Sequence, residues 1–154
     1  MNTDIDKSFN ELLTILQAER MRREVQARQE ADTLMHESDL LKQIIDLLPV
    51  GVFVTDALGA ITQINHTARE LWGGVQRGDG TQFGGYVAYW PETGKQLEPH
   101  EWALHRAIKT GETVHDELMD IRCFDGTHKI IASHAMPIRD QSGHIISAMA
   151  VQVD

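Results

Sequence analysis

Histidine is the residue type with the most versatile chemistry in this sequence, and two histidines lie in one short segment, PHEWALHRAIKTGE (residues 99–112). Since an α-helix turns by about 100° per residue, a helix over 99–110 places His100 on the same face as its apolar residues. Those residues are Ala103, Leu104, Ala107 and Ile108. His105 and Trp102 fall on the opposite, charged face. His100 is therefore predicted to point into the space that this helix covers, as a metal-binding imidazole would.

Other chemistry-bearing residues do not indicate an enzyme, and no catalytic residue is predicted. The sequence has no nucleophile elbow, Walker loop, zinc-protease pattern or kinase signature. The segment GGVQRGDG (73–80) resembles a phosphate loop, but neither Lys-Ser nor Lys-Thr follows it. His100 and His105 lie about 140° apart on a helix and cannot share one metal ion. His128 and His134 share a strand face but lie roughly 20 Å apart.

Composition limits the partners of the chain. A net charge of −9 among 154 residues argues against a nucleic-acid-binding face, because phosphate recognition needs clustered Lys and Arg. The single cysteine excludes an intrachain disulfide framework and fits a reducing compartment. No stretch approaches 18 apolar residues, and the N-terminus lacks a signal pattern. A cytoplasmic protein with no membrane segment in this chain is expected.

Residues 7–48 contain neither Gly nor Pro and predict one long helix or two consecutive helices. A 3-4 spacing runs through this segment and defines what we call the seam. Its members are Leu13, Leu16, Arg20, Arg23, Ala27, Glu30, Leu34, Glu37, Leu41, Ile44 and Leu48. Because both ends of the seam are apolar and its middle is charged, two interpretations remain. The helix forms a coiled coil that joins two copies in a homodimer, or it is a solvated helix whose last turns cap the following domain.

After Pro49 the hydrophobic period changes from that of a helix to that of strands. Five runs are typical of strands: 50–55, 60–64, 113–123, 127–138 and 144–153. Asn65 is a good N-cap for the short helix HTARELWG, and residues 73–98 predict a loop with one short helical turn. This order indicates an α+β fold: a five-stranded antiparallel sheet with helices on one face, preceded by a long N-terminal helix. We divide the chain into a helical extension, 1–39, and a domain, 40–154.

Three segments in this order resemble a PAS domain. They are LLPVGVFVTDALGAITQINHTARELWG (47–73), EWALHRAIKTGE (101–112) and FDGTHKIIASHAMPIRDQSGHIISAMAVQVD (124–154). The resemblance implies the PAS fold, in which the concave face of the sheet and the middle helices enclose a small-molecule pocket. PAS domains are sensory or dimerising modules of histidine kinases, cyclases, chemoreceptors and transcription regulators. Cys123, which precedes the final DG turn, does not match the cysteine of blue-light flavin PAS domains.

One helix is also similar to that of haem-binding, oxygen-sensing PAS domains, in which the proximal histidine lies about ten residues before a TG turn. His100 precedes Thr110 by ten residues, so the similarity implies His100 as the axial ligand of a haem iron. Ala103, Leu104, Ala107 and Ile108 would then line the ring. The other pocket candidates are Trp72, Tyr86, Tyr89, Trp90 and Met136. The sequence does not identify the cofactor, and haem is one possibility.

The sequence therefore predicts a non-enzymatic sensory module of signal transduction, as found in two-component systems. It would bind a small ligand or cofactor, dimerise through its N-terminal helix and relay to an effector outside this chain, such as a histidine kinase or cyclase. Two alternatives stay open. One is a haem-based gas or redox sensor that uses His100. The other is a ligand-free dimerisation scaffold, whose core would be packed shut by Phe53, Leu71, Trp72 and Met136.

Overall fold

The computed structural model describes residues 2–74 and 85–154, and a curved antiparallel sheet forms its centre. Part of the predicted loop, residues 75–84, lies outside the described residues. The helices are α1 (Asn2–Leu47), α2 (His66–Leu71) and α3 (Ala103–Thr110), with a 3-10 turn at Pro99–Glu101. The strands are β1 (Gly51–Thr55), β2 (Ile61–Ile64), β3 (Val87–Tyr89), β4 (Val114–Arg122), β5 (His128–Arg139) and β6 (Ile145–Val153).

Local turn chemistry determines where the strands end. Between β1 and β2, the Asp56 carboxylate accepts hydrogen bonds from the backbone N–H groups of Leu58 and Ala60, each at 2.9 Å. Asp140 accepts in the same way from Ser142 and His144 between β5 and β6. Such Asx turns reverse the chain within a few residues. Hairpins therefore form where the sequence predicts them, and the five predicted strands are confirmed.

The strand order is β2-β1-β6-β5-β4-β3, and all neighbours are antiparallel. The sixth strand, β3, is a finding that the sequence did not predict. It consists of three residues within 73–98, the segment predicted as a loop. In its pairing with β4, Val87 lies opposite Arg122 and Tyr89 lies opposite Asp120. Since a strand this short has almost no hydrophobic period, its pairing with β4 is what defines it.

Helix α1 is long because nothing in its sequence interrupts it before Pro49. Side-chain pairs one turn apart add support, including Arg20 with Glu24 and Gln26 with Glu30, each at 3.0 Å. The chain divides into two compact units, Met1–Gln43 and Ile44–Asp154. Within the part of the chain that the structure describes, no helix is both long and apolar enough to cross a membrane.

The two faces of the sheet are both rich in apolar residues. On β5, Ile131, Ser133 and Ala135 are buried in the core, whereas Met136 and Ile138 lie on the outer face with exposed side chains. The prediction that Met136 lines the pocket is therefore wrong. Alternation along a strand identifies residues that share a face, but it does not say which face is covered.

Candidate functional site

A small cavity lies in the core of the second unit, between the inner face of the sheet and the short helices. Its volume is about 20 Å³. That is room for about one water molecule, whereas pockets for drug-sized ligands and cofactors measure roughly 300–1,000 Å³. Phe53, Trp72, Tyr86, Trp102 and Leu104 form most of its apolar wall. The described side chains therefore leave little free volume at the position implied for a ligand pocket.

Aromatic rings fill most of this space and pack mainly edge to face. The Trp72 and Tyr86 rings lie 4.8 Å apart at 89°, and the Phe53 and Tyr86 rings lie 5.7 Å apart at 83°. Trp102 completes the cluster with its ring centroid 6.2 Å from that of Trp72. Edge-to-face contacts of this kind stabilise aromatic clusters beyond the area they bury. The cluster is a packed core with a defined geometry.

Two buried polar side chains, Ser133 and Gln152, also line the cavity. The Trp72 indole N–H donates a hydrogen bond to Gln152 Oε1 at 2.8 Å, so a core aromatic is fixed to the last strand. Burial raises the pKa of Tyr86, and the nearby charge of Arg69 partly opposes that effect. The Tyr86 hydroxyl therefore remains neutral at physiological pH.

An ion pair lies between α3 and the sheet. Arg106 forms ion pairs with Glu112, at 2.8 Å, and with Glu117. Glu117 lies on β4, opposite Ser133 of β5 in the strand register. Glu117 Oε1 is buried and has no hydrogen-bond partner among the described residues. The guanidinium of Arg106 compensates the charge of this carboxylate, as burial of a charge requires.

His100 does not occupy the position that the sequence predicted. Residues 99–101 form a 3-10 turn closed by a capping box between Glu98 and Glu101, and Trp102 is extended (φ −60°, ψ 132°). The α-helix therefore begins at Ala103, and the rotation counted from residue 100 does not apply. His100 is exposed, whereas Trp102, expected on the polar side, is buried in the cavity wall. The spacing Glu-x-x-Glu after a predicted loop is the signal that could have found this break.

The other predicted pocket residues are divided between the cavity, the core and the surface. Ala103 and Leu104 line the cavity, together with Trp72 and Tyr86, and Ala107 and Ile108 are buried in the surrounding core. Tyr89 is half-buried and stacks on His128 with ring centroids 6.0 Å apart. Trp90 packs against the edge of the core. The sequence analysis missed six cavity residues: Ile61, Trp102, Met119, Ser133, Ala150 and Gln152.

These residues do not fit a haem. The cavity is far smaller than a porphyrin requires, and the one histidine proposed as ligand lies outside it. His105 is nearer the core, and burial lowers its pKa, as do the charges of Lys109 and His100. Among the described residues, no group of three or more His, Cys, Asp or Glu side chains is placed to bind a metal ion.

Replacement His100→Ala is expected to change the free energy of unfolding by less than about 0.5 kcal/mol, because the side chain is exposed. Urea unfolding followed by tryptophan fluorescence measures this. Haem titration of both proteins provides the second measurement. An intense haem absorbance band that the wild-type chain develops and the variant loses would contradict the expected result.

A polar junction joins the last turn of α1 to the domain, and its centre is Asn65. The Asn65 side-chain oxygen accepts from the N–H groups of Val52 (2.8 Å) and Ala68 (3.0 Å). Its amide nitrogen donates to the carbonyls of Ile45 (2.9 Å) and Val50 (2.8 Å). The predicted N-cap is confirmed, and the same side chain also holds the end of α1 and the start of β1.

Two further bonds reinforce this junction. Asp46 Oδ1 accepts from the backbone N–H of His66 at 2.6 Å, and Thr67 Oγ1 donates to the carbonyl of Leu48 at 2.7 Å. The N-terminus of α2 is therefore bonded to the last residues of α1 and to the segment that follows. A displacement of one of these elements must strain or break bonds to the other.

Comparison with solved structures places this architecture among PAS domains. The PAS domain of an HTR-like protein from Haloarcula marismortui superposes with a TM-score of 0.58 at 14% identity, covering 82% of this chain and 98% of that one. The PAS domain of the fruit-fly ELK potassium channel superposes with a TM-score of 0.54 at 16% sequence identity, covering 75% of this chain and 94% of that one. The PAS domain of nitrogen regulation protein NR(II) from Vibrio parahaemolyticus superposes with a TM-score of 0.52 at 16% sequence identity, covering 75% of this chain and 97% of that one.

The sequence comparisons agree with the fold. No curated protein matches the chain. The family model described as "PAS fold" matches residues 45–154, which is well over half of the sequence. The match begins at the last turn of α1 and includes the junction, the aromatic core and the whole sheet. The chain belongs to the PAS family.

Proposed function

We propose that this chain is a homodimeric sensory signalling module, in which α1 joins two copies and carries a change in the PAS domain to an effector. The observation that carries the proposal is the exposure of large apolar side chains along α1. Leu13, Leu16, Leu34 and Leu41 follow the spacing of the seam, and all four are exposed in a single chain. Burial of such side chains against a second helix is the main source of coiled-coil stability.

The junction supports the relay. Asn65 bonds the carbonyl of Ile45 in α1 and the N–H of Val52 in β1, and Val52 pairs with Val151 on β6. The next residue of β6 is Gln152, which holds the Trp72 indole in the core. A short series of bonded residues thus connects the packing of the core to the end of α1. The relay requires two arrangements of this series with different stabilities.

The size of the cavity supports the ligand-free alternative. Among the described residues it measures about 20 Å³, which is room for about one water molecule. A small ligand would have to displace an aromatic side chain such as Trp102. We therefore propose a relay that operates through protein contacts, with ligand entry limited by the aromatic cluster. The buried free thiol of Cys123 fits a reducing compartment such as the cytoplasm.

Replacement Leu34→Glu is expected to weaken dimerisation at least tenfold, because it replaces a leucine of the seam with a third negative charge between Glu30 and Glu37. Sedimentation equilibrium of the full chain measures the dissociation constant. Met35→Glu is the matched control: the two side chains are neighbours with 66% and 68% exposure, but Met35 lies off the seam.

The control is expected to leave the dissociation constant within about twofold of the wild-type value. A wild-type chain that sediments at the monomer mass at all concentrations would disprove the proposal. Equal effects of the two substitutions would show that α1 does not pair through the seam.

A further inference from the structure

We infer that the two copies pair along α1 with their helices antiparallel. The inference rests on the proposed dimer and specifies its geometry. It comes from the order of charges on the seam, where Arg20 and Arg23 precede Glu30 and Glu37. These four side chains are exposed on α1. Apolar seam residues precede and follow them, and Ala27 and Leu34 lie among them.

A parallel pair in register places every seam residue opposite its own copy. Arg20 would face the partner's Arg20, and Arg23 the partner's Arg23. The glutamates at 30 and 37 would likewise face each other. Four layers in the middle of the helix would therefore hold like charges, which oppose association. The exposed leucines at the two ends would have to overcome this repulsion.

An antiparallel pair reverses the order of charges in one helix. When Val25 lies at the centre, Arg20 faces the partner's Glu30, and this contact occurs twice by symmetry. Leu16 then faces the partner's Leu34. A shift of one heptad instead places Arg20 opposite the partner's Glu37 and Leu16 opposite the partner's Leu41. Neither antiparallel register contains a like-charge layer on the seam, and each gains one opposite-charge contact twice by symmetry. The remaining charged seam residues face apolar ones, such as Arg23 opposite the partner's Ala27 in the register centred on Val25.

The exposed apolar residues beside the seam fit the register centred on Val25. Phe9 extends the seam spacing by one position and faces the partner's Leu41. Leu12 lies next to the seam at the level of the partner's Ser38, and the partner's Leu40 lies two residues beyond that level. Phe9, Leu12, Leu40 and Leu41 are all exposed in a single chain. Because α1 spans Asn2–Leu47, this register also overlaps the two helices along nearly their whole length.

A charge substitution separates the two orientations. The double variant Glu30→Arg/Glu37→Arg leaves the seam with four arginines. An antiparallel dimer loses its opposite-charge layers, and its dissociation constant is expected to rise at least tenfold. A parallel dimer has four like-charge layers both before and after the double substitution. Its dissociation constant is therefore expected to stay within about threefold of the wild-type value. Glu11→Arg/Asp32→Arg is the matched control, with the same charge change on the back of the helix.

A distance measurement is independent of affinity. Spin labels on Glu11→Cys, at a back position of α1, are about 20 Å apart in a parallel dimer. The axial offset adds to this lateral separation in an antiparallel pair, so the labels are about 46 Å apart in the register centred on Val25 and about 56 Å apart after a shift of one heptad. Pulsed electron resonance on the full chain distinguishes these values. The wild-type chain, whose Cys123 is buried, is the labelling control.

The outcomes are separable. A distance above 40 Å together with the loss of affinity supports the antiparallel pair. A dimer with a distance near 20 Å overturns the inference and leaves the proposed function in place. A monomer in sedimentation overturns both. A dimer that the charge variant weakens no more than its control also contradicts the inference.

Discussion

Replacement Asn65→Leu is expected to lower the free energy of unfolding by roughly 3–5 kcal/mol. The side chain is buried and makes four hydrogen bonds, so leucine leaves two N–H groups and two carbonyls of the junction without this partner. Each unsatisfied buried group costs about 1–3 kcal/mol, and relaxation recovers part of the sum. The lost N-cap alone accounts for about 1 kcal/mol.

Urea unfolding at a fixed chain concentration measures this loss, with the concentration held constant because dimerisation shifts apparent stability. Gln29→Leu is the control, since Gln29 is exposed on α1 away from the seam and a change there is expected to stay within about 0.5 kcal/mol. A loss below about 1 kcal/mol for Asn65→Leu would show that the junction does not hold these elements together.

Hydrogen exchange adds a readout specific to the proposed relay. The amide of Val52 donates to Asn65 and lies in β1, whereas the amide of Ala135 lies in β5, away from the junction. In Asn65→Leu, exchange at Val52 and in the last turn of α1 is expected to accelerate more than exchange at Ala135. Uniform acceleration would indicate a global loss of stability without a local release of the helix.

The parts of the fold that the sequence predicted correctly depend on local chemistry. Asp56 and Asp140 form turns within a few residues of themselves, and Asn65 caps the helix that follows it directly. Such signals need no knowledge of the tertiary structure. For this reason the five strands other than β3, the short helix α2 and the long helix α1 could be predicted from the sequence.

Which residues form the candidate site depends on tertiary contacts that the local sequence does not specify. The segment 99–102 satisfies helical periodicity, but the capping box between Glu98 and Glu101 closes a separate turn, which exchanges the roles of His100 and Trp102. On β5, the face with Met136 and Ile138 is more apolar than the face with Ser133, yet the latter is buried. Burial there follows from the helices that cover the inner face, and strand alternation does not encode it.

Replacement Trp102→Ala is expected to cost about 3–5 kcal/mol of stability and to enlarge the cavity. The indole is buried in the cavity wall against Trp72, and its removal leaves apolar surface without contacts. Alanine suits the extended backbone at this position (φ −60°, ψ 132°), so the loss reports on the side chain and not on the backbone.

Added indole is expected to restore part of this stability, because a ligand that binds only the folded chain stabilises it by mass action. Saturation at a hundred times the dissociation constant contributes about 2.7 kcal/mol. Trp90→Ala is the matched control, since Trp90 packs at the edge of the core and does not line the cavity. Indole is expected to leave that variant unchanged.

The two results together decide what the aromatic cluster does. Recovery with indole in Trp102→Ala alone would mean that Trp102 occupies the position of a flat aromatic ligand, so this domain can bind one once that side chain moves. A large loss without recovery would mean that the core collapses around the missing ring, and that the relay relies on protein contacts alone. A loss below about 1 kcal/mol would contradict the packing of Trp102 against Trp72.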